Sequence, residues 1–140
     1  MNDVPGVASR LGYAGLLPFM GAAALVWIMP NAGAAIRIGL AVYALAIVSF
    51  LAGAWWGIAL LRRHSDLLIA SNVVVIAAWG SVWLLHPPAS LSVLAALMAV
   101  MVAIEGRHPA FAPQPPYYRR LRLTLTWVAV PALLLVALSA

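Results

Sequence analysis

Glu105, His108, His64 and Asp66 are the residues of this chain whose types and spacing could do chemistry together. Two imidazoles and two carboxylates at the ends of apolar runs form a donor set for a divalent metal, since zinc-class ions take three or four such ligands. A local assignment competes with it. His64 follows Arg62-Arg63, Glu105 and His108 flank Arg107, and Asp66 opens an apolar run, so ion pairs and helix caps account for the same residues. That is the expectation, and no metal ligand is assigned. The third histidine, His86, lies at the opposite boundary, so no histidine pair can meet across a haem in the membrane core. Cysteine is absent, which removes disulfides, thiolate ligands and cysteine nucleophiles. With no glycine-rich phosphate loop, no serine-histidine-acid set and no catalytic carboxylate pair, the chain is expected to be non-catalytic and to carry no cofactor.

The elements that would position these residues are apolar. Of 140 residues, 66% are hydrophobic and 8% charged, against about 25% charged in a soluble domain. Such a chain belongs in a membrane, and each crossing takes about 20 residues, so it holds one domain, 1–140, with no soluble catalytic part. Five runs stand out, at about 11–29, 38–61, 67–85, 89–104 and 121–138, and the breakers Pro30-Asn31-Ala32-Gly33 and His86-Pro87-Pro88 separate two pairs of them. Ser65 and Asp66 are expected to cap the third. The fourth is short for a span. The first run, with Arg10 before it and Ala32-Gly33-Ala34 after it, has the outline of a secretory signal, but it is longer than the 7–15 residues usual for one and is kept as a span. The expected fold is therefore all-α, an integral membrane bundle of five transmembrane helices.

All eight basic side chains besides histidine are arginines. Five spans put Arg10, Arg62, Arg63, Arg107, Arg119, Arg120 and Arg122 on one side and Arg37 on the other. Under the positive-inside rule the N-terminus is then cytoplasmic and the C-terminus outside. Omitting the fourth span would destroy the asymmetry, so the charges support it. The +5 net charge is read as a topology signal and a match to anionic phospholipid of the bilayer rather than to nucleic acid. The loop 105–120 carries Pro109, Pro113, Pro115 and Pro116 and is expected to be extended. Around it, Arg62, Arg63, Tyr117, Arg119, Arg120 and Arg122 form a candidate docking face for anionic lipid or a protein partner.

Depth gives a second candidate. At about 1.5 Å per residue, Pro18, Phe19, Trp55, Trp56, Asn72, Met98 and Trp127 fall roughly 10 Å inside the cytoplasmic boundary, one slab to which every span contributes. A pocket there would take an amphipathic ring such as a quinone headgroup, or a lipid. The carbonyl freed by Pro18 is expected to find a neighbouring side chain, and Asn72 to face protein. A belt of interfacial tryptophans is the alternative. Ser49, Gly53 and Gly57 recur every four residues along the second span, which should make it the central helix through close packing inside the monomer, with a homodimer seam as the alternative. A transporter would need an ionisable or broken-helix element near the midplane, or assembly into a small oligomeric channel.

The segments Leu11-Gly12-Tyr13-Ala14-Gly15-Leu16-Leu17-Pro18-Phe19, Tyr43 to Gly57, and Tyr118-Arg119-Arg120-Leu121-Arg122 with Leu123-Thr124-Leu125-Thr126 resemble a family of small bacterial inner-membrane proteins of unknown function, which includes the mitochondrial transmembrane protein 69. Ser49 to Gly57 carries the resemblance most specifically, with departures at Ala52 and at Ala54-Trp55. The resemblance implies a five-helix multi-pass protein of the bacterial inner membrane with no assigned reaction. It also implies an accessory or assembly role beside a larger respiratory-membrane complex, with quinone or lipid binding and small-molecule transport as alternatives.

Overall fold

The computed structural model describes residues 3–140. It contains five helical segments long and apolar enough to cross a membrane, and no strand among the described residues. The protein is an all-α, multi-pass membrane bundle. All five runs are helical, and most of their ends lie outside the apolar stretches.

The first span is built from two helices, α1 (Val4–Ala14) and α2 (Leu17–Ile28). α1 begins well before Leu11 because the Asp3 carboxylate accepts the Gly6 N–H at 3.1 Å and a proline sits in its first turn. The break at Gly15-Leu16 follows from Pro18, which has no N–H to offer the carbonyl of Ala14. At this break the Gly15 carbonyl accepts the Tyr43 hydroxyl at 2.8 Å, so side-chain satisfaction occurs one residue later than expected. Phe19 packs edge-on against the same tyrosine, with ring centroids 5.3 Å apart.

A 3-10 turn, Pro30–Ala32, leads into α3 (Gly33–Arg62). α3 ends on Arg63, which adopts the left-handed conformation (φ 60°, ψ 47°) while the His64 N–H closes back on the Ala59 carbonyl at 3.0 Å. Glycine is the usual residue at this C-terminal position because a Cβ is strained there. Replacing Arg63 by glycine should therefore raise stability by about 1 kcal/mol, read as a higher midpoint in detergent unfolding; an unchanged or lower midpoint would show that Arg63 is held by something stronger than this strain.

α4 (Ser65–Leu84) is entered through His64, and neither Ser65 nor Asp66 caps it: no side-chain cap bond is made, and the Asp66 carboxylate is engaged elsewhere. α5 (Pro87–Arg107) is 21 residues long, a full span rather than the marginal 89–104. Pro87 and Pro88 follow the end of α4 at Leu84, as expected, and also form the first turn of α5, where a missing N–H costs nothing; the helix continues through Glu105 to Arg107. After a short turn at Pro109–Phe111, α6 (Pro116–Leu138) starts inside the expected loop, again on a proline. The connector shrinks to residues 108–115. Glu105 and Arg122 are thereby drawn into the bundle.

α3 packs on α2, α4 and α5, and α6 packs on α5 and α2. The expectation of a central second span holds, but the seam differs. The inward stripe of α3 is Ala41, Ala44, Val48, Ala52, Trp55 and Ala59, all buried. Gly53 and Gly57 are exposed, and a Cβ added to either would meet nothing within 4 Å. Ser49 is half-buried beside them. Close packing inside the monomer is thus achieved by alanines. Gly12 does serve that purpose on α1, where a Cβ would lie 3.2 Å from both Leu121 and Leu125 of α6.

Candidate functional site: a buried Trp-Glu-Arg knot beneath the arginine-bearing end

The ends of α3 and α5 and the start of α6 meet where the arginines cluster. Arg62 donates to the Ala112 carbonyl at 2.7 Å, and Arg119 donates to the Val102 carbonyl at 3.0 Å. Arg37 is tied to the other end, where its guanidinium donates to Ser139 Oγ at 3.3 Å.

Beneath this basic end lies the most polar part of the core. Glu105 is 6% exposed and Arg122 6% exposed, and they pair through two bonds: Arg122 Nε donates to Glu105 Oε2 and Nη2 to Oε1, each at 3.0 Å. Trp55, 1% exposed, donates its indole Nε1–H to Glu105 Oε1 at 2.9 Å. The carboxylate thus accepts three N–H groups, one from α3 and two from α6, and joins three helices. Phe111 covers the indole, with ring centroids 5.6 Å apart. Fork-shaped pairing of this kind suits a charge held away from water, because both oxygens are occupied in a planar geometry. Among the described residues, no fully enclosed side-chain nitrogen or oxygen lacks a partner. Both Glu105 oxygens are thereby engaged within the bundle.

A second polar cluster lies at the α3-α4 corner. His108 Nε2 is 2.8 Å from Asp66 Oδ2, and His64 Nδ1 is 3.8 Å from Asp66 Oδ1. The three side chains offer donor atoms within 4.8 Å of one another. They are the residues that could hold a metal. One bond argues for a different use. The Ala110 N–H donates to His108 Nδ1 at 3.1 Å, so Nδ1 is an acceptor and Nε2 carries the proton given to Asp66. A metal at Nε2 would displace that proton and disrupt the Ala110 bond. As built, the cluster clamps the α5 end to the α4 start, and the fourth candidate, Glu105, is absent from it.

The ring pocket expected from depth is not assembled. Phe19 and Trp55 are buried in the core, whereas Pro18, Trp56, Asn72 and Trp127 lie on the outside of the bundle. Spacing along each helix does not fix the side a residue faces. Asn72 faces outward, not protein, and its amide donates to the Leu68 carbonyl of its own helix at 2.9 Å. Of the candidate docking residues, Arg62, Arg63 and Arg120 are exposed and Tyr117 and Arg119 half-buried, but Arg122 is internal and cannot dock anything. Sequence reading missed the Glu105-Arg122 pair and the part of Trp55 in it. The signal that could find them is the rule that an ionisable residue inside a span needs a partner; it applies only once the helix ends extend past Glu105 and before Arg122.

The sequence matches the family described as "Protein of unknown function (DUF3429)" over residues 4–138. The chain belongs to this family. A curated relative is Transmembrane protein 69 of Xenopus tropicalis, 28% identical over 135 residues that make up 93% of this chain and 53% of that protein. The chain therefore spans about half the length of the relative it matches. No solved structure matches. The family match reaches from the start of α1 to the end of α6, so it includes all three helices of the knot and the outward glycines of α3.

Proposed function

We propose that this protein is a non-catalytic accessory or assembly protein of the bacterial inner membrane, which docks beside a larger membrane complex through the outer face of α3. The observation that carries the reading is the bare backbone at Gly53 and Gly57, with nothing within 4 Å of where a Cβ would stand. In a membrane, helices associate by close backbone approach at such small-residue stripes. Exposed Phe50 and Trp56 flank the two glycines along the same helix and offer side chains to a partner. The buried acid is meanwhile satisfied three times over within the bundle, which fits a scaffold rather than an enzyme. The exposed Arg62, Arg63 and Arg120 suit the anionic cytoplasmic leaflet.

The test is native-gel migration after extraction in mild detergent. The wild-type chain should run in a species larger than itself together with other membrane proteins. The double replacement Gly53→Leu with Gly57→Leu should release it as a monomer while leaving its own thermal stability unchanged, since the added side chains meet no part of the bundle. A wild type that runs alone, or a double variant that stays in the complex, would overturn the proposal; two differently tagged copies recovered together and no other protein would replace the foreign partner by a second copy.

A further inference from the structure

We infer that the furrow between α5 and α6 binds a quinone-class lipid, whose ring carbonyl accepts a hydrogen bond from Thr126 and whose ring lies against Trp127. The furrow is an open groove of about 240 Å³ between Ala99 and Val102 on α5 and Thr126, Trp127 and Pro131 on α6. Its residues are otherwise apolar, and no charged side chain lines it. Thr126 is the exception in two ways. It is 9% exposed, and its hydroxyl makes no hydrogen bond among the described residues. The other buried hydroxyls, Ser71, Ser81 and Ser90, each donate to a carbonyl of their own helix, and Thr124 on the same helix donates to the Arg120 carbonyl at 2.9 Å. The Thr126 oxygen is not among the fully enclosed ones; it opens onto the furrow, and a hydroxyl facing hydrocarbon calls for a partner.

Two further features define the occupant. Pro131 lies inside α6 and brings no N–H to the carbonyl of Trp127, so a second polar atom beside the furrow loses its ladder bond. Trp127 itself is 77% exposed, presenting an indole on which a flat ring can stack at about 4.5–7 Å. Thr126 lies roughly 9 Å along α6 beyond the exposed Arg120, below the headgroup level at which exposed arginines sit. A phosphate headgroup does not reach that depth, and a saturated acyl chain would leave the hydroxyl unpaired. A neutral flat ring bearing a carbonyl satisfies Thr126, and in its reduced form its hydroxyl can also donate to the Trp127 carbonyl. The volume takes a ring and leaves an isoprenoid tail in the bilayer; enclosed pockets for whole ligands are larger, about 300–1,000 Å³. This site lies on α6 and does not depend on the α3 docking face, so the two proposals fail separately.

The experiment is titration of decylubiquinone into the purified full chain in nanodiscs of zwitterionic phospholipid, followed by calorimetry. Wild type should bind at one site. Thr126→Val, which keeps shape and removes the hydroxyl, should weaken binding about tenfold, equivalent to ~1.4 kcal/mol, and Thr126→Ser should retain it. Trp127→Ala should weaken binding as well. Absence of binding to the wild type, or equal affinity in wild type and Thr126→Val, would overturn the inference. Displacement of the quinone by added phospholipid to the same extent in both proteins would overturn it too, and would mark the furrow as a seat for acyl chains.

Discussion

Replacing Arg122 by leucine should destabilise the protein by about 3–5 kcal/mol, and replacing Glu105 by leucine in the same chain should restore most of the loss. The single change removes both N–H groups that the guanidinium gives to the carboxylate and leaves a charge at 6% exposure among Trp55, Phe111 and the apolar faces of α3 and α5. The charge then has no water and one remaining donor, the indole of Trp55. The double change removes the desolvated pair altogether. Apolar residues of similar volume often match a buried ion pair in stability, since the attraction between two charges barely offsets what it costs to take both from water. Recovery should stop about 1 kcal/mol short, because Trp55 Nε1–H then has no acceptor. Reversible unfolding in mixed micelles, followed by helix content, measures all three chains. A double variant as unstable as the two singles added together would show that the pair is not an isolated electrostatic unit.

How much of this could be read before folding is considered depends on what a membrane sequence encodes. The five crossings were legible, because the solvent imposes length and apolarity on each. Burial faces were not. In water the inward face of a helix is its apolar face, but in lipid both faces are apolar and the contrast vanishes. Gly53 and Gly57 gave the strongest packing signal in the sequence and face outward, while Ala41, Ala44, Ala52 and Ala59 pack the seam. Alanine is so frequent here that its recurrence on one stripe of α3 carried no visible contrast. The same limit dispersed the ring pocket: depth follows from position along a helix, but Trp55 points inward and its neighbour Trp56 outward.

The Glu105-Arg122 pair was hidden for a different reason. It depends on where α5 ends and where α6 starts, and Pro116 fits an extended connector as well as the first turn of a helix. Proline breaks a helix from within and favours one at its first turn, and composition alone does not say which applies. Once α5 runs to Arg107 and α6 starts at Pro116, the acid and the arginine fall inside spans, where each requires a partner. The docking set was altered by the same shift, because it lost Arg122 to the interior and kept Arg62, Arg63 and Arg120 at the surface.

Trp55 gives the second large effect, and its two substitutions separate packing from hydrogen bonding. Trp55→Ala should cost about 3–5 kcal/mol, since it empties the space of an indole in a closed core. Trp55→Phe keeps a ring against Phe111, whose centroid lies 5.6 Å away, but removes the N–H that reaches Glu105 Oε1. A hydrogen bond to a charged acceptor is worth about 1.5–3 kcal/mol, and the phenylalanine variant should lose that much. If the indole served only to fill space, the loss would stay below about 1 kcal/mol, the range of a near-isosteric apolar exchange. The decisive comparison is in the background of Glu105→Leu with Arg122→Leu. There the indole N–H is already unpaired, so Trp55→Phe should be neutral or slightly stabilising. The same loss in both backgrounds would mean that the tryptophan and the ion pair act independently. A loss that disappears would show the carboxylate as the common point through which α3, α5 and α6 are held in register, with its three N–H partners forming one cooperative unit.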